Sequence, residues 1–454
     1  MTETVQLSQR LEACLGGRLR PPVISPDLAE RSHASLTRIH LGEATVNTCN
    51  PAIADVDGDG LDEIAMPFNR GEEDVVALFR GDGTKLWETT AAKFYHSVYD
   101  DDELYLRSHW HYRTHHRHLL TRICDLDGDG ELEVVVGLGP IHILDAQTGR
   151  LKSSFDLDGL VQVWDLGHLH DPAALGIAAG VNHHDESGSI LALDGHGDQL
   201  WRHETVGKSF EDKLLCGDLT GDGLDEIAFS MADAERFEVR RGTGELLWAK
   251  HVPADIGEDT HVDDLVIGPI QESGNQLATS TGACLFDSEG NLLWSLRDRL
   301  EHGQKVSLAQ PPQAAEPRLY ICSKTGRRAY LLDPQGRVLW EYANFSATPD
   351  GRLYLTTAGD WLDWSGPGAC EIVQAEVAGA DPDADTPQGT PLTLYLHILS
   401  AEGAEVAKLP YQDSLRPGMN GAMCARACHL RTRDRHDILV IPHHAGEILI
   451  FSPL

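Results

Sequence analysis

Asp55, Asp57 and Asp59 alternate with small residues, Gly58 and Gly60 stand between and after them, and Glu63 closes the run. The same order returns at Asp125, Asp127, Asp129 and Glu133. It returns again, with a hydroxyl in the second place, at Asp218, Thr220, Asp222 and Glu226. A hard cation such as Ca2+ takes about six to eight oxygens, and glycine permits the sharp turn that aims them inward. The three loops are therefore candidate Ca2+ sites, with backbone carbonyls of Leu61, Glu131 and Leu224 as further ligands. An apolar strand follows each loop (Ile64-Ala-Met66, Val134-Val-Val136, Ile227-Ala-Phe229), and no second acid stands where a helical calcium loop would place its bidentate glutamate.

The segment from Phe94 to His118 carries a second kind of chemistry. Six histidines fall within 23 residues, at 96, 109, 111, 115, 116 and 118, with aromatic residues and arginines among them. Histidine donates, accepts or carries charge near neutral pH, so the cluster suits proton transfer or metal ligation. It also suits a polar loop whose histidines bond one another and water. His111 and His115 are four apart, but no acid completes a His-Glu-x-x-His zinc pattern.

Both groups must be held by a repeating body. Gly83-Thr-Lys-Leu-Trp87, Gly197-Asp-Gln-Leu-Trp201, Gly244-Glu-Leu-Leu-Trp248, Gly290-Asn-Leu-Leu-Trp294 and Gly336-Arg-Val-Leu-Trp340 share one pattern, with degenerate copies at Gly149 and Gly403. The last four tryptophans lie 47, 46 and 46 residues apart. A period of that size, built from short strands and Gly/Asp turns, predicts an all-β fold: a β-propeller of four-stranded blades, with the tryptophans in core packing. Eight blades fit, at about 45–94, 118–157, 160–206, 211–253, 259–298, 303–345, 351–412 and 418–454. Seven follow if blade 5 or 7 is misread. The last blade lacks an outer strand, which Leu36–Leu41 supplies, closing the ring and removing an exposed sheet edge. Residues 1–34 are then a leader and linker, and 35–454 one propeller domain with insertions at 95–117 and 376–391.

A chain of 454 residues exceeds the common single-domain size, but toroids grow by adding blades. No apolar run approaches membrane-spanning length, and the first 25 residues lack the basic start and apolar stretch of a secretion signal, so the chain as it stands reads as cytoplasmic. Nine scattered cysteines form no disulfide framework, and Cys424, Cys428 and His429 read as inner-strand residues rather than a metal site. A net charge of −34 argues against nucleic acid or an anionic membrane as partner.

In a propeller, the acid loops join strands 1 and 2 on one face of the disc. The opposite face receives the loops joining strands 2 to 3 and each blade to the next. That sorting places His96, Arg107, the 109–118 run, Asn182, His183, His184, Lys208, His261, Lys305, Arg327, Arg328, Arg416, His443 and His444 on one rim. In so acidic a chain, this predicts an anion-binding face able to support catalysis.

The Asp-x-Asp-Gly-Asp-Gly loops resemble the FG-GAP or VCBS repeats of integrin-type propellers, over three of the blades. Joined to the His-His-Arg-His118 run, the chain resembles the propeller polysaccharide lyases: ulvan, rhamnose–glucuronate and rhamnogalacturonan lyases. The resemblance implies β-elimination on an anionic, uronate-containing polysaccharide or oligosaccharide. It implies two proton-handling histidines about twenty residues apart, matched here by His96 and His116. Tyr112 or His184 is the alternate, and Arg113, Arg117 or Lys208 holds the carboxylate. No tyrosine occurs between Tyr112 and Tyr320, so the tyrosine these lyases carry further on has no counterpart by position. Such a reaction needs a cation against the uronate carboxylate, a base for the C5 proton and an acid for the departing oxygen. A glycoside hydrolase would instead need two flanking carboxylates, and this face offers few. The competing class is a non-catalytic carbohydrate- or protein-binding propeller with structural Ca2+.

Overall fold

The computed structural model describes residues 34–42, 51–91, 120–183, 187–257, 259–300, 303–343, 354–378, 391–414, 424–441 and 446–454, leaving out 71–72, 138–139, 209, 313, 324–327 and 356–358. These residues form eight antiparallel sheets, each a blade of an all-β propeller. Blades 1 to 6 are four-stranded and run in chain order from Ala52–Ala54 to Val338–Ala343. In blade 7 two short pieces, Tyr354–Leu355 and Trp361–Leu362, share the inner edge of Glu371–Ala378. The partner strand of that element resumes at Pro391, so its pairing takes up both ends of the stretch read from sequence as an insertion.

Blade 8 combines Cys424–Cys428, Asp437–Ile441 and Glu447–Pro453 with the N-terminal strand Ala34–His40. That strand pairs antiparallel with Glu447–Pro453, Leu36 standing opposite Phe451. The Arg38 guanidinium donates to Glu447 at 2.7 Å across the join. The ring therefore closes between the two ends of the described chain, as the missing outer strand required.

Each blade packs on a neighbour through both faces, so its middle strands are apolar on both sides. Glu133–Gly137 and Gly176–Asn182 are buried at every residue. Outer strands such as Leu151–Asp156 and Gln199–Glu204 are largely exposed and polar. Unbroken apolar runs thus mark strands covered on both faces. Each fully buried Val, Ile or Leu contributes about 1.5–3 kcal/mol.

The repeated tryptophans work between blades. The Trp87 indole N–H donates to the Ala146 carbonyl of the next blade at 2.8 Å, and Trp201 to Gly242 at 2.6 Å. Trp248, Trp294 and Trp340 do the same to Ser288, Pro334 and Ala401 at 3.1, 2.9 and 2.9 Å. Each acceptor lies two residues before the turn glycine of the following blade, or three for Ala146 and Gly149, and the ring lies against that glycine. At Gly290, φ is +80° and an added Cβ would stand 2.7 Å from the Trp248 ring. Glycine is needed there twice over, for the left-handed turn and for the approach of the indole. Between blades 2 and 3 Phe155 takes the tryptophan's place against Gly197.

Candidate functional site

The acid loops fold as the spacing predicts, and their carboxylates first serve the chain itself. Asp55 accepts the N–H groups of Gly58 and Gly60 at 2.8 and 2.7 Å, and Glu63 accepts that of Val56 at 2.9 Å. Asp125 and Glu133 repeat this with Gly128, Gly130 and Leu126 at 2.8, 2.9 and 2.9 Å. Asp218 and Glu226 repeat it once more with Gly221, Gly223 and Leu219 at 2.7, 3.1 and 2.9 Å. The carboxylate at position 3 of the first two loops accepts the N–H two residues on, at 3.2 and 3.3 Å, and a cation from the hairpin of strands 3 and 4 also meets it. Arg80 reaches Asp57 at 2.6 Å, and Lys152 reaches Glu133 at 2.5 Å and Asp127 at 3.3 Å. These contacts put the two hairpins on one face of the disc.

Asp55, Asp57 and Glu63 form one group able to hold a metal ion, and Asp125, Asp127 and Glu133 another. Asp59 and Asp129 each accept the N–H two residues on, at 2.8 Å. In the third loop Thr220 donates to Glu226 at 3.3 Å, and Arg241 reaches Asp222 at 3.4 Å. Burial pushes Glu63 and Glu226 above the usual carboxylate range, against the pull of the backbone N–H groups of Val56 and Thr220. Glu133 and its neighbours do the reverse to Lys152, whose bond to Glu133 raises it. Oxygen donors of the right type for a hard cation are therefore gathered, with an ammonium or guanidinium already among them in the first two loops.

The same turn recurs where no motif was read. Asp363 accepts from Gly368 and Cys370 at 2.9 and 3.0 Å, and Glu371 from Trp364 and Ser365 at 2.8 and 3.0 Å. The spacing of Asp363, Ser365, Gly366, Gly368 and Glu371 equals that of the first loop, with serine and proline at the second and third oxygen places. In blade 8 Asp437 accepts from Leu430 and Arg431, both at 2.9 Å, without any acid at positions 1 or 3.

A second set was also missed. Inner strands of successive blades, or the residues leading into them, carry charges of alternating sign: Arg122, Asp165, Lys213, Asp264, Lys305, Asp360 and Arg426. Arg122 meets Asp165 at 3.1 Å, Lys213 and Lys305 flank Asp264 at 2.5 and 3.2 Å, and Arg426 meets Asp360 at 3.2 Å. Burial opposes the charge on Asp264, but the two lysines outweigh it and hold its carboxyl below the ordinary value. Asp264 in turn raises Lys305. The signal was one charge per inner strand, visible only once the strands are aligned.

Of the residues expected to act in catalysis, His96, Tyr112, Arg113, His116, Arg117 and His184 lie outside the described residues. Lys208 sits between blades 3 and 4, where its backbone N–H donates to both oxygens of Asp233 at 3.0 and 3.1 Å. Other members of the expected anion-binding rim meet acids: Lys305 faces Asp264, and Arg328 faces Glu341 at 3.3 Å. His261 stands between Asp259 and Asp263 at 3.4 and 3.6 Å. Cys428 is a buried free thiol whose pKa burial raises well above the ordinary value, as an inner-strand residue requires.

A family model described as outer membrane protein assembly factor BamB matches residues 71–283 and 186–358. Among solved structures the chain is similar to Saccharomyces cerevisiae Sqt1, with 12% identity, 93% of this chain and 100% of that chain covered, and a TM-score of 0.54. It is similar to the quinohemoprotein alcohol dehydrogenase from Comamonas testosteroni, with 12% identity, coverage of 95% and 78%, and a TM-score of 0.50. For BamB from Moraxella catarrhalis the figures are 16%, 92% and 98%, and 0.48. At such identities the structural likeness is one of fold. No curated protein matches the chain.

These findings correct the expected kinship. The chain is not an FG-GAP or VCBS protein and not a polysaccharide lyase, and an anionic polysaccharide or oligosaccharide is no longer its expected partner. The physical reason lies in the motifs used. Asp-x-Asp-Gly-Asp-Gly is a local turn that any blade can carry, and a twenty-residue spacing between two histidines is not by itself specific to one family. Most of the Gly-to-Trp repeats, in contrast, lie within the matched residues and describe how blades dock.

Proposed function

The chain belongs to the family of outer membrane protein assembly factor BamB, and on that premise we propose that it is a non-catalytic propeller that binds another protein. The observation that carries the reading is the extent of the family match, from residue 71 in blade 1 to residue 358 in blade 7. Its electrostatics support it. The charged side chains of the inner strands are joined in ion pairs, which rigidify the disc instead of presenting a poised base. Likeness in fold to an alcohol dehydrogenase assigns no redox step to this chain.

We further propose that the loops at 55–63 and 125–133 bind Ca2+ structurally, displacing Arg80 and Lys152 from the carboxylates. The loop at 218–226 does so more weakly, because threonine replaces an acid. No helix among the described residues is long and apolar enough to cross a membrane.

The full chain, immobilised and offered an extract of its own cells, should retain one protein in stoichiometric amount, and the purified pair should co-elute in size exclusion. Uronate polymers incubated with it should yield no unsaturated product absorbing in the ultraviolet. Failure to form any stoichiometric protein complex, or appearance of that absorbance, would overturn the binding reading.

A further inference from the structure

We propose that Asp259, His261 and Asp263 form a site for a divalent first-row transition-metal ion of the Mn2+ or Zn2+ class. The three lie in the connection from blade 4 to blade 5, away from the acid loops. Their donor atoms all fall within 4.8 Å of one another. His261 and Asp263 are buried, and the Asp259 side chain is only 15% exposed.

Neither aspartate closes on the His261 ring as a short hydrogen bond, and Nδ1 also lies 3.3 Å from Thr260 Oγ1. His261 Nδ1 is 3.4 Å from Asp259 Oδ1, and Nε2 is 3.6 Å from Asp263 Oδ1. A charge-assisted hydrogen bond would close to about 2.7–2.9 Å. One ion takes a single ring nitrogen, so His261 would offer either Nδ1 or Nε2, joined by one oxygen from each aspartate within the 4.8 Å spread of the three donors. A divalent cation is also the charge complement of two carboxylates. Imidazole draws the preference from Ca2+ and Mg2+ toward transition metals.

The surroundings are built in the manner of a metal site's outer shell. Gln304, on the inner strand of blade 6, donates to Asp263 Oδ1 at 2.5 Å, and Thr281 donates to Asp263 Oδ2 at 3.3 Å. Partners of this kind fix the orientation of a ligating carboxylate. The other end of the same amide, Gln304 Oε1, is buried without a hydrogen-bond partner. A bound ion with its water supplies a donor to that oxygen. The ion would tie the connection between blades 4 and 5 to the inner strand of blade 6.

The test uses the full chain carrying Asp55→Asn, Asp125→Asn and Asp218→Asn, which removes the three acid-loop sites. One equivalent of Mn2+ should remain bound by electron paramagnetic resonance, displaced by equimolar Zn2+ but not by a hundredfold excess of Ca2+. Its pulsed spectrum should show nitrogen coupling from one imidazole, lost in His261→Gln with at least a thirtyfold weaker Kd. Should His261→Gln fail to fold, Asp259→Asn, at the more exposed position, should weaken Mn2+ at least tenfold. No bound equivalent, nitrogen coupling that survives His261→Gln, or unchanged affinity in Asp259→Asn each overturns the proposal.

Discussion

Arg80, at the end of the third strand of blade 1, and Lys152, on the fourth strand of blade 2, each lie among carboxylates that could hold an ion. A resident cation competes with a dissolved one, so replacing Lys152 by Met should tighten Ca2+ binding at the 125–133 loop about tenfold or more by titration calorimetry. No change would mean that Ca2+ does not use that loop. His436 offers a pH test. Its Nδ1 accepts the Asp363 N–H at 2.9 Å, a bond that protonation breaks, and its ring stacks on His429 at 3.9 Å. Burial and His429 lower its pKa. As pH falls below about 6.5 the unfolded chain takes up the proton first, so this part of the stability is present above that value. It is lost as pH falls toward the folded pKa. Between pH 7.5 and 5.0 the wild-type protein should lose more of its melting temperature than His436→Asn, and parallel curves would remove the argument. At this scale the sequence disclosed the acid-loop oxygens, because glycine and aspartate spacing dictates a turn. It did not disclose that Arg80 and Lys152 sit with them, since those contacts join residues 23 and 19 positions apart across two hairpins.

Strands and turns were legible wherever local chemistry repeats. The Gly-to-Trp pattern gave the blade period, and Ile64, Val134 and Ile227 mark strands buried on both faces. What the indoles do was hidden, because a tryptophan reads as apolar area while its N–H acts on the next blade. Trp87→Phe should therefore cost about 1–3 kcal/mol in denaturant unfolding, the cost of leaving the buried Ala146 carbonyl unpaired. Trp87→Ala should cost about 3–5 kcal/mol, adding the lost packing. Equal stability of Trp87→Phe and wild type would reduce the indole to filler. The turn at Asp363 escaped notice because serine and proline replace two of its acids. The turn at Asp437 keeps only the final acid, which alone still accepts two backbone N–H groups.

The eight-bladed ring and its closure were legible from one deficit: the last blade lacked a strand, and a short β-pattern near the start could supply it. Kinship was not, because motifs that shape turns say little about what a whole disc binds. Deleting residues 1–44 should lower the melting temperature by ~10 °C, whereas deleting 1–30 should change it by only ~2 °C, as scanning calorimetry would show. Equal tolerance would contradict a ring held by Ala34–His40. That closure also imposes a timetable on synthesis. The strand at 34–40 leaves the ribosome long before its partner at 447–453. At about 5–20 residues per second the wait is roughly 20–80 s. Through that interval the first blades stack with one edge strand unpartnered, exposed to chaperones and to wrong pairings. Anything that shields this strand during translation should govern the yield of native protein more than its final stability does.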